Sequence, residues 1–509
     1  MKHETLRLWL VAFFVVAIAV LGVALRVIAM QDPLWLDELH TSWCVNGRLS
    51  EVFHRARLGN QGPLYFYLEY LSVSIVGHSE VALRLPSLFA SIGLLVSIPW
   101  IVFRWSQSMV GAGLAMLLAS IDDQFIFYAV EARPYALVQL CAVWQVHLFL
   151  TCLENKSSDL AMIGWLVLTP TLFYLHFTTI ALLASQVAIL VFLVLLNLLP
   201  AAKDDSKRFL ILLFAFGIPV AMMLPGIQML METGQQRADW GAMVRPQRYG
   251  LMMVAQFVVY LLPALALACL ARRTDGEPQY QHGQVLSSTA LLVAAPLLFC
   301  YAGSVSGFAP LAHYRFSIAS STLLVVLAGM MFGLLNSRPL QFAAVSVTLV
   351  LAVLTNPLAL PTWQNNGLPT MRLENWKSIA GQIDGQVLLC SDLVEDNRTT
   401  QDSDEDFQRY LKFPLAGIYQ PVDVRLITTG AIREDRIVVS PRELQQLIES
   451  GKFQLLIRMW REDAVVYADR LSKVLGPGWN VEHQTGGGDG PLSLFSFENT
   501  STKRERVVQ

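Results

Sequence analysis

The stretch LWLVAFFVVAIAVLGVALRVIAMQDPLWLDELH, residues 8–40, decides how the chain is read. Its first part is an apolar run about as long as the ~20 residues that carry a helix across the hydrocarbon of a bilayer. A cleaved signal peptide has a shorter apolar core and a small-residue cleavage site, and here the run leads instead into Gln31-Asp32-Pro33 without an Ala-x-Ala site. The run is therefore read as a retained first transmembrane helix. It ends at two adjacent acids, Asp37 and Glu38, set among Trp35, Leu36 and Trp43. Tryptophans gather where lipid meets water, so these carboxylates are placed at an aromatic interfacial belt. Beside low-dielectric lipid a carboxylate is poised to act as a general base.

Working outward, the whole chain repeats the first signal. Of its 509 residues 54% are hydrophobic and only 15% charged, and the mean hydropathy is +0.47. Soluble domains carry roughly 25% charged residues, so a soluble class is excluded. A net charge of −2 provides no basic surface for a nucleic-acid backbone. The six cysteines have neither CxxC nor metal-finger spacing, and four lie in apolar runs, where a thiol is a small hydrophobe.

Apolar length predicts about eleven spans, near 8–30, 82–103, 109–128, 134–152, 160–178, 180–199, 208–228, 249–271, 286–303, 316–335 and 340–356. Residues 62–76 are apolar and aromatic but short, and read as a re-entrant or interfacial helix. The distribution of Lys and Arg in short loops places the N-terminus in the cytoplasm, with Arg104, Lys156, Lys203, Lys207, Arg208, Arg272, Arg273 and Arg338 inside. Arg48, Arg55, Arg57, Arg84, Arg133, Arg237, Arg245, Arg248 and Arg315 then fall outside. Positive charge on that side suits an anionic ligand, for which Arg84, Arg133 and Arg315 are the candidates; the alternative is that long outer loops escape the charge rule.

The fold class expected is an all-α polytopic membrane domain over residues 1–357, with a first outer loop at 31–81, followed by a small α/β domain at 358–509. In that last part an acidic stretch runs from Asp392 to Asp406. Short β-type runs at 386–390, 454–458 and 492–497 alternate there with helical patterns at 373–383, 441–449 and 464–475. An odd number of spans puts this domain on the extracytoplasmic side of a multi-pass inner membrane protein. The GGGDG run at 486–490 lacks the strand and helix of a dinucleotide site and reads as a turn.

Four span ends carry ionisable or aromatic polar groups at one depth. Besides Asp37 and Glu38 these are Tyr128, Glu131, Arg133 and Tyr135 after the third span, His176 after the fifth, and His313, Tyr314 and Arg315 before the tenth. Taken singly, Glu131 and Arg133 also read as a mutual ion pair ending a helix, and His176 as a packing residue. Together, carboxylates and forked guanidinium groups at a lipid boundary suit a reaction between a membrane-anchored phosphate and a polar acceptor.

In order along the chain, these pieces resemble the motifs of the GT-C superfamily, specifically its ArnT and protein O-mannosyltransferase-like bacterial group. They are LDELHTSW at 36–43, NQGPLYFYLEYLSVSIVGHSEVALRLPSLFASIG at 60–93, YAVEARPYAL at 128–137, YLHFTTIALLASQ at 174–186, HYRFSIASSTLLVVLAG at 313–329 and LENWKSIAGQI at 373–383. Gln61-Gly62-Pro63 departs from the family's usual His or Asp followed by two prolines. The resemblance implies an integral membrane glycosyltransferase moving a hexose or pentose from a polyprenyl-phosphate donor to an extracytoplasmic acceptor, with inversion at the anomeric carbon. It implies Asp37 as general base with Glu38 beside it, Glu131 as a further catalytic carboxylate, and Arg84, Arg133, Tyr135, His176, Tyr314 and Arg315 as substrate-binding residues. No cofactor is implied with certainty; a divalent metal is left open, with His40, His176 and Glu131 as ligand candidates. The competing reading is a transporter or flippase for a lipid-linked sugar. That class places its ionisable residues near the bilayer midplane, whereas here they sit at span ends.

Overall fold

The computed structural model describes residues 2–59, 61–153, 159–197, 206–236, 246–275, 283–335, 337–355, 374–390, 409–419, 424–426, 449–459, 461–485 and 491–500. In chain order these form α1 (Lys2–Ala29), α2 (Leu36–Val45), α3 (Leu49–Leu58), α4 (Leu64–Val76), α5 (Glu80–Ser106), α6 (Met109–Ile121), α7 (Asp123–Ala129), α8 (Tyr135–Leu153) and α9 (Asp159–Leu175). There follow α10 (Ile180–Asn197), α11 (Ser206–Ala215), α12 (Gly217–Gln236), α13 (Pro246–Tyr260), α14 (Leu262–Asp275), α15 (Gly283–Val305), α16 (Ile318–Met331) and α17 (Arg338–Thr355). The last part holds α18 (Trp376–Ala380), α19 (Phe413–Ala416), α20 (Arg461–Leu475) and the strands β1 (Val387–Cys390), β2 (Val424–Leu426), β3 (Lys452–Arg458), β4 (Trp479–Thr485) and β5 (Leu492–Asn499). The acidic stretch 392–406, the helical pattern at 441–448, the turn at 486–490, and Lys156, Lys203, Arg237 and Arg245 lie outside the described residues.

The protein is a multi-pass membrane protein. Six of its described helices are long and apolar enough to cross a bilayer, or seven with the pair α13 and α14, which bends by 47°. Others of the eleven expected spans are shorter apolar helices, among them Phe13–Ala29, Met109–Ile121, Asp159–Leu175 and Ile318–Leu334. The third expected span, 109–128, is broken in two. Asp122 leaves the helical region (ψ 131°), and its carboxylate accepts from the amides of Gln124 and Phe125. Aspartate competes in this way with the helical ladder, and so ends α6 and starts α7. The expected interfacial helix at 62–76 is α4.

The chain divides into two compact units, residues 1–31 with 84–370, and residues 32–83 with 371–509. The first is all helical. Arg26, fully buried in α1, donates to the Ser91 hydroxyl of α5 (2.7 Å), to the carbonyls of Ala119 (2.9 Å) and Ser120 (3.4 Å) in α6, and to Gly22 in its own helix (2.9 Å). A buried guanidinium is tolerated when its donors are taken up, and here they tie three helices together. Gly111 of α6 and Gly329 of α16 face each other so closely that a Cβ on either would strike the other's backbone carbonyl. Small residues at such crossings let helix backbones approach in lipid.

In the second unit three helices, α2 to α4, precede a five-stranded sheet of order β2-β1-β3-β5-β4. β1 pairs in parallel with β2 and β3, while β5 runs antiparallel to β3 and β4. α20 covers one face, burying Ala464, Tyr467, Ala468 and Leu471 against Leu388, Phe453, Leu455, Ile457, Phe495 and Phe497. The expected strands at 386–390, 454–458 and 492–497 are β1, β3 and β5; β2 and β4 were not anticipated.

Candidate functional site

In the second unit, α2 begins at Leu36, after Trp35 in an extended conformation. The amides of Glu38 and Leu39 bond back to the Trp35 carbonyl (2.9 and 3.0 Å), and the Glu38 carboxylate reaches the Trp35 amide (3.4 Å). Glu38 is fully buried, as is Leu36 nearly, while Asp37 between them is only half-buried. Asp37 is thus the more exposed of the two carboxylates in this first turn.

The remainder of α2 is packed with aromatic groups. The His40 ring lies 5.4–6.0 Å from the rings of Trp43, Phe66, Tyr410 and Phe413, and its Nε2 is 3.4 Å from Cys44 Sγ. Gly59 leaves room for that ring, which a Cβ at 59 would overlap. A cavity of about 350 Å³ opens beside Trp43, lined also by Ser50, Glu51, His54, Arg55, Leu58 and Arg409. Arg55 forms one wall of it, pairing with Glu51 (2.6 Å), donating to the carbonyls of Trp43 and Asn46, and covering the Trp43 ring at 5.0 Å.

The first unit gathers the other candidates. The Glu131–Arg133 turn, closed by the Arg133 amide on the Glu131 carbonyl (2.7 Å), leads into Pro134 and α8. Ser87 of α5 donates to the Arg133 carbonyl (3.0 Å), fixing the turn against that helix. Tyr135 opens α8 and meets Tyr128 at 4.8 Å and His176 at 5.6 Å between ring centroids. Tyr128 stacks flat on Tyr314 (5.7 Å, 8°), and Arg315 covers the Phe316 ring at 5.1 Å. Tyr128, Tyr135, His176, Tyr314 and Phe316 therefore form one chain of rings, contributed by span ends that the sequence placed at one depth. Glu131, Arg133 and Arg315 are buried or nearly so. Burial, and then the negative charge of Asp122, holds the Tyr314 phenol well above its ordinary pKa. Arg84 is fully buried and gives one donor to the Met30 carbonyl at the end of α1 (2.8 Å).

Sequence reading missed three features. Arg26 was absorbed in the first span, where an arginine among apolar residues is itself the signal of a built interior contact. Tyr260 donates to Asp122 (2.6 Å), and nothing local to residue 260 announces it. Glu69 of α4 is fully buried, and burial, with the negative charge of Glu38 adding to it, pushes its carboxyl well above the usual carboxylate range. An acid in an otherwise apolar helix is the signal that could have found it.

Among the described residues no three His, Cys, Asp or Glu side chains converge as a metal-binding group. His40 is enclosed by rings and Cys44, and His176 Nδ1 lies 2.7 Å from the Thr178 hydroxyl.

No protein-family model matches the chain, and no curated protein does. Solved structures do. The crystal structure of ArnT from Cupriavidus metallidurans in the apo state is similar over 97% of this chain and 98% of its own, at 12% identity and a TM-score of 0.42. The same protein bound to undecaprenyl phosphate is similar over 96% of this chain and 97% of its own, at 12% identity and a TM-score of 0.39. The Archaeoglobus fulgidus oligosaccharyltransferase in complex with Zn and sulfate is similar over 96% of this chain and 73% of its own, at 10% identity and a TM-score of 0.48.

Proposed function

We propose that the chain is an integral membrane glycosyltransferase that moves a sugar from a polyprenyl-phosphate donor to an extracytoplasmic acceptor, with Asp37 as general base. The observation that carries this reading is the first turn of α2, where Asp37 is left accessible between a buried Leu36 and a buried Glu38. In the reaction the acceptor oxygen forms a bond to the anomeric carbon as the bond from that carbon to the phosphate oxygen breaks. Asp37 takes the acceptor's proton, the polyprenyl phosphate leaves with the electron pair, and a single displacement inverts the anomeric centre. Glu38 serves the start of α2 by accepting the Trp35 amide, and so supports Asp37 without meeting the substrate.

The donor end is assigned to the ring chain of the first unit. Arg84, Arg133 and Arg315 offer forked donors to a phosphate, and a charge that grows on the leaving oxygen is what such groups stabilise most. Tyr135, His176 and Tyr314 offer ring faces and polar groups to a sugar. Glu131 orients the second-loop turn that carries Arg133. The polar cavity beside Trp43 provides a recess for the acceptor. The N-terminus lies on the cytoplasmic side and the sheet on the extracytoplasmic side of the membrane.

The test uses sealed proteoliposomes and a panel of radiolabelled polyprenyl-phosphate hexoses and pentoses with an envelope glycan extract. Label appearing on a glycan, with free polyprenyl phosphate as co-product, supports the transferase. Intact donor crossing the bilayer with no glycosylated product points to a flippase and ends this reading.

A further inference from the structure

The helix that presents Asp37 is not held only by its own unit's early residues. Glu374, about 340 residues further along the chain and nearly buried, accepts the Leu36 amide with Oε2 at 3.1 Å. The same oxygen accepts the Trp376 indole N–H at 2.8 Å. Its other oxygen receives Arg458, the last residue of β3, through Nε at 2.8 Å and a terminal guanidinium nitrogen at 2.7 Å. A second strap lies two residues earlier. The Leu34 amide donates to the Tyr419 hydroxyl (3.0 Å), which in turn donates to Glu80 (3.2 Å), a carboxylate also paired with Lys377 (3.0 Å). Both backbone amides flanking Trp35 are therefore held by residues from the C-terminal part of the chain.

We propose that Glu374 is a positioning residue for Asp37, fixed by Arg458 and by the Trp376 indole, so that the C-terminal sheet sets the geometry of the catalytic turn. The proposal rests on Asp37 being the base. The first N–H groups of a helix have no intrahelical acceptor, and an anion placed on one fixes where the first turn starts. Leu36 is the residue immediately before Asp37, so the carboxylate's position follows the clamped amide. The clamp gives the C-terminal sheet a role in the rate of transfer and not in donor capture.

The experiment uses the full-length protein in detergent and whichever donor of the panel wild type turns over fastest. Glu374→Ala removes the clamp, and misplacing a reacting group by about 1 Å costs on the order of 100-fold, so kcat falls by roughly 10- to 100-fold. KM for the donor stays within about twofold, since uniform donor binding is untouched. Glu374→Gln keeps a carbonyl for the Leu36 and Trp376 N–H donors but turns an NH2 group toward Arg458, so it recovers only part of the kcat lost in Glu374→Ala. Leu36→Pro removes the amide itself while leaving the helix intact. Proline is accepted at the first helical position, and the extended backbone of Trp35 (φ −99°, ψ 175°) suits the residue before it. The double variant is no slower than the slower single, because both act on one bond. A wild-type kcat in Glu374→Ala, a loss confined to donor KM, or multiplicative losses in the double variant overturns the clamp. Full activity in Asp37→Asn overturns the general base instead, so the two failures are distinguishable.

Discussion

Gln145 of α8 and Gln186 of α10 face each other in the helical interior, and their loss has a calculable cost. Gln186 donates to Gln145 (2.6 Å) and accepts from it (2.9 Å), and also accepts from the Trp165 indole of α9 (3.0 Å). Gln145 in turn donates to Thr169 of α9 (3.0 Å). All four residues are fully buried. Either single Leu replacement removes three of these four bonds. At about 0.6 kcal/mol for each interhelical bond in a membrane protein, each single variant loses roughly 2 kcal/mol. The double variant loses four bonds in all, so it falls short of the summed singles by about 1 kcal/mol, the worth of the reciprocal pair. The assay is reversible unfolding in mixed detergent micelles, read by tryptophan fluorescence. Because Tyr135 opens α8 and His176 precedes α10, the singles also lower transfer activity. Additive losses, or singles within about 0.3 kcal/mol of wild type, would refute the network and with it the argument that it holds the ring chain.

Other substitutions probe separate parts. Arg133→Lys and Arg315→Lys keep the charge and lose the fork, so KM for the donor rises by roughly 10-fold in steady-state kinetics while the fold is retained. Gly59→Ala drives a methyl group into the His40 ring and costs about 1–3 kcal/mol of stability, read as a lowered melting temperature. Asp122→Ala removes the cap of α7 and the partner of Tyr260; at about 1 kcal/mol for the cap and a similar amount for the hydrogen bond, it loses roughly 2 kcal/mol in the same unfolding assay. Leu58→Trp fills the cavity beside Trp43 and raises the KM for the acceptor while leaving that for the donor unchanged.

Much of the helical framework was legible because apolar length is a local signal. The second expected span, 82–103, is α5 at Glu80–Ser106, and the fourth, 134–152, is α8 at Tyr135–Leu153. The break at Asp122 was less legible, since it depends on one carboxylate preferring two backbone amides to the helix. Strand β4 escaped notice because its sequence, Trp-Asn-Val-Glu-His-Gln-Thr, is mostly polar, as suits a strand at the edge of the sheet. β2 is three residues long and offers too little pattern to detect. At the site, the motif order drew attention to Asp37, Glu131, Arg133, His176 and Arg315. The Glu374 clamp was not readable. LENWKSIAGQI drew attention as a segment, yet nothing near residue 374 tells that its carboxylate meets an amide at residue 36. Such pairings are made by the fold, and no local pattern carries them.

The central claim is that Asp37 takes a proton from the acceptor during transfer from a polyprenyl phosphate. The most direct measurement is single-turnover transfer by purified wild type and Asp37→Asn, with donor prebound and acceptor in excess. Asp37→Asn is expected to bind undecaprenyl phosphate like wild type and to form product slower by roughly 100-fold or more, the range of a lost general base. Product formed at the wild-type rate by Asp37→Asn would contradict it.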